Sequence, residues 1–194
     1  MEKFAKFIRV ITVSPVMALV LCLLLYFGVV NCFFQSYMLY VCIALLCVGP
    51  MLAYPIERIW HPYQKKHAYL SSRQAERELA VYLSIVCYSI LVIITFVTYQ
   101  SAMLKQMVLT FFFSVTLLYL LSVMFKINPS GHLCGVVGPT LFLAYSISPY
   151  FLFLFVVIAF TVWSSLKLKR HTILEVVLGA IIPTVSLALA VYII

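Results

Sequence analysis

The sequence predicts an all-α membrane protein, a polytopic bundle of six or seven transmembrane helices. Hydrophobic residues make up 65% of the 194 residues and charged residues only 9%, whereas soluble domains are roughly half apolar and about one-quarter charged. Apolar runs of about 20 residues, the length of a bilayer-spanning helix, recur along the whole chain. The runs lack the alternating pattern of a transmembrane barrel, so helices are expected. We therefore expect one integral membrane domain, residues 1–194.

The apolar runs give the expected spans in chain order. Pro15 falls near the start of the first run, where a helix has no N–H partner to lose. Gly49-Pro50 predicts a kink in the second run, and Ser148-Pro149 separates the fifth from the sixth. The expected spans cover residues 10–34, 36–56, 79–99, 107–125, 133–147, 150–166 and 173–194.

Basic residues collect on one side of this arrangement. If every run spans, the N-terminus, the polar loop 57–78 and the junctions at 126–132 and 167–172 share one membrane face. All 13 basic residues except Lys105 then lie on that face. Because cytoplasmic loops carry an excess of lysine and arginine, we expect this face to be cytoplasmic.

The charge and the cysteines also exclude some classes of protein. The net charge of +8 would suggest nucleic acid in a soluble protein. Here the basic residues lie between apolar runs, where they meet lipid head groups and anionic substrates, so no nucleic-acid partner is expected. The six cysteines show no CxxC or paired Cys/His spacing. Buried free thiols are therefore favoured over disulfides or a metal site.

Two short polar segments carry residues suited to chemistry. Pro129 to His132 reads Pro-Ser-Gly-His between two apolar runs, and His171 follows the next pair of runs. Glu175, four residues after His171, is the last acidic residue of the chain. Ionisable residues at a membrane surface or interior are functional candidates. Cationic donors together with two histidines suit phosphoryl transfer, because imidazole titrates near neutral pH and cations stabilise the transferring group.

These segments resemble a known family. The stretch from Lys126 to His132 reads KINPSGH, and it is followed 39 residues later by His171 and then by the stretch from Glu175 to Gly179. This pattern is similar to the type 2 phosphatidic acid phosphatase superfamily, membrane phosphatases of lipid phosphates and diphosphates. The resemblance covers roughly residues 60–190, which would form the phosphatase-like core, and it implies neither a metal nor another cofactor.

The resemblance also implies roles for individual residues. His171 would be the nucleophile that forms a phosphohistidine, and Glu175 would orient and polarise it. His132 would be the general acid for the leaving group. Ser130 and the Gly131 N–H would bind phosphoryl oxygens at a helix start, where free N–H groups favour anions.

The basic residues expected to bind the substrate phosphate surround these motifs. The family's first motif is a lysine, six residues, and then Arg-Pro, and Lys66 and Arg73 have that spacing with Gln74 in place of the proline. The family's third motif has an arginine where this chain has Ser165. Nearby cations are candidates for its role. The expected phosphate ligands are Lys66, Arg73, Arg77, Lys126, Lys169 and Arg170, besides Ser130 and Gly131.

The predicted function is that of a membrane phosphatase for a lipid phosphate or diphosphate, either glycerolipid or polyprenyl, with the isoprenoid class slightly favoured by the resemblance. The partners expected are this substrate and membrane lipids, and the sequence does not fix the oligomeric state. One alternative is a family member that binds lipid phosphates without turnover, because Ser165 replaces an arginine. A small transporter is a third reading, for which Gly49-Pro50 and Gly138-Pro139 are the only hint of broken spans.

Overall fold

The computed structural model describes residues 2–28, 32–56, 59 and 72–194, and the side chains of residues 2, 6 and 72–75 lie outside this description. The described residues form helices joined by short connections, with no strand among them, which confirms the all-α prediction. The helices are α1 (Glu2–Ile11), α2 (Ser14–Phe27), α3 (Tyr37–Ile56), α4 (Ser72–Val97), α5 (Ala102–Phe125), α6 (Gly131–Ser146), α7 (Phe155–Lys167) and α8 (Ile173–Ile193), with a 3₁₀-helix at Pro149–Leu154 before α7.

Helix length and composition confirm a multi-pass membrane protein. Five helices in the described part of the chain, α3, α4, α5, α8 and the stretch Pro149–Lys167, are long and apolar enough to cross a membrane. The pair α1 and α2 would form a sixth span, broken by a bend of 48°. The bend has a local cause, because Pro15 stands in the first turn of α2 and starts a new helix there.

Two prolines that hinted at broken spans lie inside helices. In α3 a π-helical stretch, Ile43–Val48, comes directly before Gly49-Pro50, after which α-helix resumes. Proline cannot donate to the preceding turn, and a π-helical turn absorbs the irregularity. Pro139 lies within the continuous helix α6. Gly138-Pro139 therefore does not interrupt a span.

Helix α6 is the buried centre of the bundle. Residues 133–140 are all buried, and α6 packs against α2, α5, α7, α8 and the 3₁₀-helix. Its 16 residues reach about 24 Å, which is less than the roughly 30 Å of a hydrocarbon core. The fifth predicted run is therefore a helix, but one shorter than a full span. Small residues allow its close packing: Gly135 lies against Ser14 of α2, and Gly138 lies against Pro183 of α8.

The apolar core beneath the two motif segments is a compact cluster. Leu133 follows His132 and Val176 follows Glu175, and both are buried together with Val136, Val137 and Ile158. A larger cluster built on α2, α3, α5 and α6 fills the rest of the bundle. The six cysteines are free, and all except the partly buried Cys87 are buried, as the sequence predicts.

Candidate functional site

The start of α8 fixes His171 and Glu175 against each other. Thr172 is the N-cap of α8 and forms a capping box: the Glu175 N–H donates to Thr172 Oγ1 (3.3 Å), and the Thr172 N–H donates to Glu175 Oε2 (2.9 Å). The same carboxylate oxygen lies 3.2 Å from His171 Nδ1. The His171 side chain is only 5% exposed. A helix cap thus holds a carboxylate against a buried imidazole.

This pairing determines what His171 can do. A carboxylate accepts hydrogen bonds, so the proton of the neutral imidazole belongs on Nδ1 and leaves Nε2 unprotonated. Burial lowers the pKa of His171, and the nearby charge of Arg77 lowers it further, against the opposing effect of Glu175. The imidazole is consequently neutral at neutral pH. An unprotonated Nε2 is the form that a nucleophile or a base requires.

The segment Pro129 to His132 is attached to the same turn of α8. The Ser130 N–H donates to the backbone carbonyl of Glu175 at 2.9 Å. Ser130 is fully buried against Gly179, one turn further along α8, where an added Cβ would lie 2.7 Å from the Ser130 carbonyl oxygen. The lack of a side chain at Gly179, four residues after Glu175, therefore has a physical reason. It lets the segment lie directly on the α8 backbone.

Ser130 has a structural task besides the predicted one. Its Oγ accepts the N–H of Leu133 at 3.4 Å, which caps helix α6. The first-turn N–H groups of Gly131 and His132 have no acceptor within the helix. A Cβ added at Gly131 would meet no atom within 4 Å. Within the part of the chain that the structure describes, the first turn of α6 therefore offers N–H donors outside the helix ladder beside open space, as an anion site at this position requires.

His132 is partly buried in a cationic environment. Burial, together with the charges of Arg9 and His171, lowers the pKa of His132 to about 4. The charge of Arg77 acts in the same direction, while a hydrogen bond to the backbone of Arg9 opposes it. His132 is therefore neutral at neutral pH. The two imidazoles lie close enough for their charges to interact across the starts of α6 and α8.

The charges of two arginines from distant parts of the chain act on these histidines. Arg77 lies near the start of α4 and interacts electrostatically with both imidazoles. Arg9 of α1 interacts with both imidazoles as well, and also with Arg77 and Arg170. Sequence reasoning treated Arg9 only as a determinant of membrane orientation. No local signal distinguished it, because its place depends on how α1 packs.

The remaining predicted phosphate ligands are less well placed or lie outside the described residues. Lys126 is exposed and caps the end of α5 in a left-handed conformation, with φ 54°. Lys169 is exposed in a similar conformation, with φ 49°. Among the described cations, Arg9 and Arg77 shift the pKa values of the histidines by their charges, whereas Lys126 and Lys169 do not. Lys66 lies outside the described residues, as does the Arg73 side chain.

Ser165, at the position of the family arginine, is buried in α7. It is 1% exposed, and its hydroxyl has no hydrogen-bond partner among the described residues. The Arg170 N–H donates to its backbone carbonyl at 3.1 Å. The described residues contain no group of three His, Cys, Asp or Glu side chains that could hold a metal ion.

Comparison of the chain with protein-family models, with curated proteins and with solved structures found no match. The fold and the site together define a helical, multi-pass membrane protein. The site contains a His–Glu pair at the start of α8 and a second histidine at the start of α6. The charges of Arg9 and Arg77 act on both histidines. The resemblance of the motif residues to the phosphatase superfamily stays a prediction that these comparisons do not test.

Proposed function

We propose that the protein is a metal-independent membrane phosphatase of a lipid phosphate or diphosphate. The observation that carries the proposal is the pair of His171 and Glu175. A buried, neutral imidazole is held through Nδ1 by a carboxylate 3.2 Å away, beside a second imidazole and two arginines. Cationic donors stabilise the charge that develops on a transferring phosphoryl group, and the oriented imidazole supplies a nucleophile.

The proposed reaction has two steps. His171 Nε2 attacks phosphorus, the bond from phosphorus to the leaving oxygen breaks, and His132 donates a proton to that oxygen. The lipid alcohol or lipid phosphate departs and leaves a phosphohistidine. Water then attacks the phosphohistidine, His132 accepts a proton from the water, and inorganic phosphate and free His171 result. Glu175 stabilises the positive charge that His171 acquires.

Substrate binding must place the proton on His132. In the free protein, burial and cationic neighbours lower the pKa of His132 to about 4, so the imidazole is neutral at neutral pH. A phosphate anion bound among the arginines would raise this pKa, because an opposite charge favours the protonated form. The proposal therefore includes proton uptake on binding, and lipid phosphates should bind more tightly as the pH falls from 8 to 6.

An apolar groove between α1 and α7 supports a lipid as the substrate. It has a volume of about 710 Å³ and is lined by Phe4, Val156, Ala159, Phe160 and Trp163. Helices α1 and α7 form it, and these same helices carry Arg9 and lead into His171. The proposal assigns this groove to the acyl or isoprenyl chain of the substrate, because its described lining is apolar. The isoprenoid class is favoured slightly, by the resemblance alone.

Phosphate release tests the proposal. The detergent-purified full chain is assayed with phosphatidic acid, phosphatidylglycerol phosphate and polyprenyl mono- and diphosphates, each with and without EDTA. We expect release that survives EDTA and falls at least about 1000-fold in His171→Ala. A fully active His171→Ala protein would refute the mechanism. The preferred substrate names the lipid class.

The buried Ser165 supports one alternative, a protein that binds lipid phosphates without turnover. The loss of one donor to a developing charge can cost about 100-fold in rate. The alternative expects no release from any substrate while lipid phosphates still bind, and it expects Ser165→Arg to create activity. In either case we propose that the site faces the cytoplasm, from the distribution of basic residues. Labelling of cysteines introduced at the exposed Lys126 and at the partly buried Lys105 in sealed vesicles tests this orientation.

A further inference from the structure

Arg9 carries a guanidinium nitrogen that the protein buries without a partner. Among the described residues, Arg9 Nη1 is buried and donates a hydrogen bond to no acceptor. A guanidinium group stays charged in proteins and has five N–H donors to satisfy. A buried donor without an acceptor is costly, and in a native structure it calls for an explanation such as an absent ligand. The ligand that suits it is an anion.

The position of Arg9 is fixed relative to the histidine helix. Ser14, at the start of α2, donates through Oγ to the carbonyl of Gly131 at 2.9 Å. The Cα and side chain of Ser14 fill the space at Gly135, where a Cβ would not fit. The backbone of Arg9 forms a hydrogen bond with His132. These contacts attach the junction of α1 and α2 to the first two turns of α6, so the place of Arg9 in the site does not depend on a flexible loop.

The surroundings of Arg9 are cationic. Its guanidinium interacts unfavourably with Arg77 and Arg170, and its charge reaches both imidazoles. Among the described acids, Glu175 interacts electrostatically with Arg77, but His171 and the α8 cap already occupy its carboxylate. Positive charges gathered in this way among the described residues favour the binding of a multiply charged anion.

We infer that Arg9 is a ligand of the substrate phosphate and supplies, from α1, the guanidinium that the chain lacks at Ser165. The inference rests on the proposed function for the identity of the phosphate. Helix α1 packs against α7, which carries the buried Ser165, and Arg9 interacts electrostatically with Arg170, whose N–H donates to the Ser165 carbonyl. An arginine fork can bind two phosphoryl oxygens at once, which lysine cannot do.

Binding of dodecylphosphonate, which cannot be hydrolysed, tests the inference independently of turnover. The full chain in detergent is compared with Arg9→Ala, Arg9→Lys and the control Lys3→Ala, which removes an exposed cation from the same helix. We expect the dissociation constant to rise about 100-fold in Arg9→Ala, less in Arg9→Lys, and by no more than about twofold in Lys3→Ala. Binding of dodecanol, which lacks the phosphorus group, should not change. Millimolar methylguanidinium should restore part of the binding by Arg9→Ala.

Several results would overturn the inference. Arg9→Ala that binds dodecylphosphonate as the unaltered protein does would overturn it, as would an equal loss of dodecanol binding, which would indicate a merely structural role. If Arg9→Ala does not fold, the same contrast between the two probes is read from Arg9→Lys. Absence of phosphate release from every lipid, with Arg9-dependent binding intact, would refute the proposed phosphatase and leave Arg9 as an anion ligand. Failure of the unaltered protein to bind dodecylphosphonate would refute the inference itself.

Discussion

Hydroxyl side chains cap helices at both ends of the bundle, but the groups around these caps differ. The 24 residues of α5 extend about 36 Å, so the connections before and after it lie at opposite ends of the bundle. At its start, the Ser101 hydroxyl accepts the Leu104 N–H and donates to the Cys32 carbonyl, which satisfies the cap within the protein. Lys105 there lies over the Phe96 ring, 5.2 Å from its centroid.

Beyond the far end of α5, the helix caps lie beside a group of positive charges. Ser130 caps α6 and Thr172 caps α8, yet a guanidinium nitrogen of Arg9 is buried without a partner among the described residues. The positive charges of Arg9 and Arg77 act on both imidazoles. Capping stabilises a helix by roughly 1 kcal/mol wherever it occurs. Uncompensated charge marks the end where a ligand is expected. Variants at the two ends of the bundle test whether phosphate release depends on that end alone.

Among the variants that leave the reacting side chains in place, Gly179→Ala should have the largest effect on activity. The new Cβ would lie 2.7 Å from the Ser130 carbonyl oxygen and 3.2 Å from its nitrogen, so the segment leading to His132 must move. A displacement of about 1 Å can cost about 100-fold in rate, and we expect a loss of that size in phosphate release. Gly138→Ala is the matched control at the same interface, because its Cβ would only touch Pro183 at 3.4 Å. Equal activity in the two variants would contradict the assigned role of the contact.

Glu175→Gln should lower phosphate release by about 10- to 100-fold, as the loss of a charged partner of a reacting imidazole does. Glutamine still serves at this position of a capping box, so the thermal unfolding temperature should stay nearly unchanged. Activity and unfolding are measured on the same detergent preparation. A variant that unfolds earlier but turns over normally would assign Glu175 to the cap alone.

Mild acid should destabilise the end of the bundle that carries His132 and His171. Because burial lowers the pKa of His132 to about 4 from its ordinary value of 6.5, the unfolded chain binds the proton first. The stabilisation is complete above pH 6.5 and decreases as the pH falls, by about 2 kcal/mol between pH 6.5 and pH 5. His171, whose pKa is also lowered, adds to the loss. Thermal unfolding followed against pH should show a weaker dependence in His132→Gln, and identical curves for the two proteins would refute the assignment.

Ser101→Ala should have the smallest effect on activity. It removes a cap and a hydrogen bond to Cys32 at the end opposite the histidines, so we expect about 1 to 2 kcal/mol of lost stability. Phosphate release per folded molecule should equal that of the unaltered protein. Ser101→Thr, which keeps the hydroxyl, is the control for stability. A drop in turnover in Ser101→Ala without unfolding would mean that the two ends are coupled.

Much of the fold could be predicted because lipid imposes simple rules on sequence. The run predicted at 173–194 is α8, and the runs at 79–99 and 107–125 lie largely within α4 and α5. The short length of α6 and the break before Ser14 were less accessible, since burial within the bundle relaxes the need to span. In the site, motif spacing indicated His132, His171 and Glu175.

Tertiary packing decides what the sequence could not indicate. Nothing near Arg9 in the chain distinguishes it from Lys3, and only the attachment of Ser14 to the Gly131 carbonyl brings it to the histidines. The close contact of Gly179 with Ser130 likewise joins two segments far apart in sequence. Lys126 shows the opposite case. It lies within the motif, but it is exposed at the end of α5.

Trapping of the covalent intermediate tests the central claim most directly. The full chain is mixed with lipid phosphate radiolabelled on phosphorus, quenched in alkali within milliseconds, digested and mapped. We predict an acid-labile, alkali-stable label on the peptide that contains His171, present in the unaltered protein and absent from His171→Ala. Turnover with no label on the protein, or a label on a different residue, would contradict the proposed mechanism.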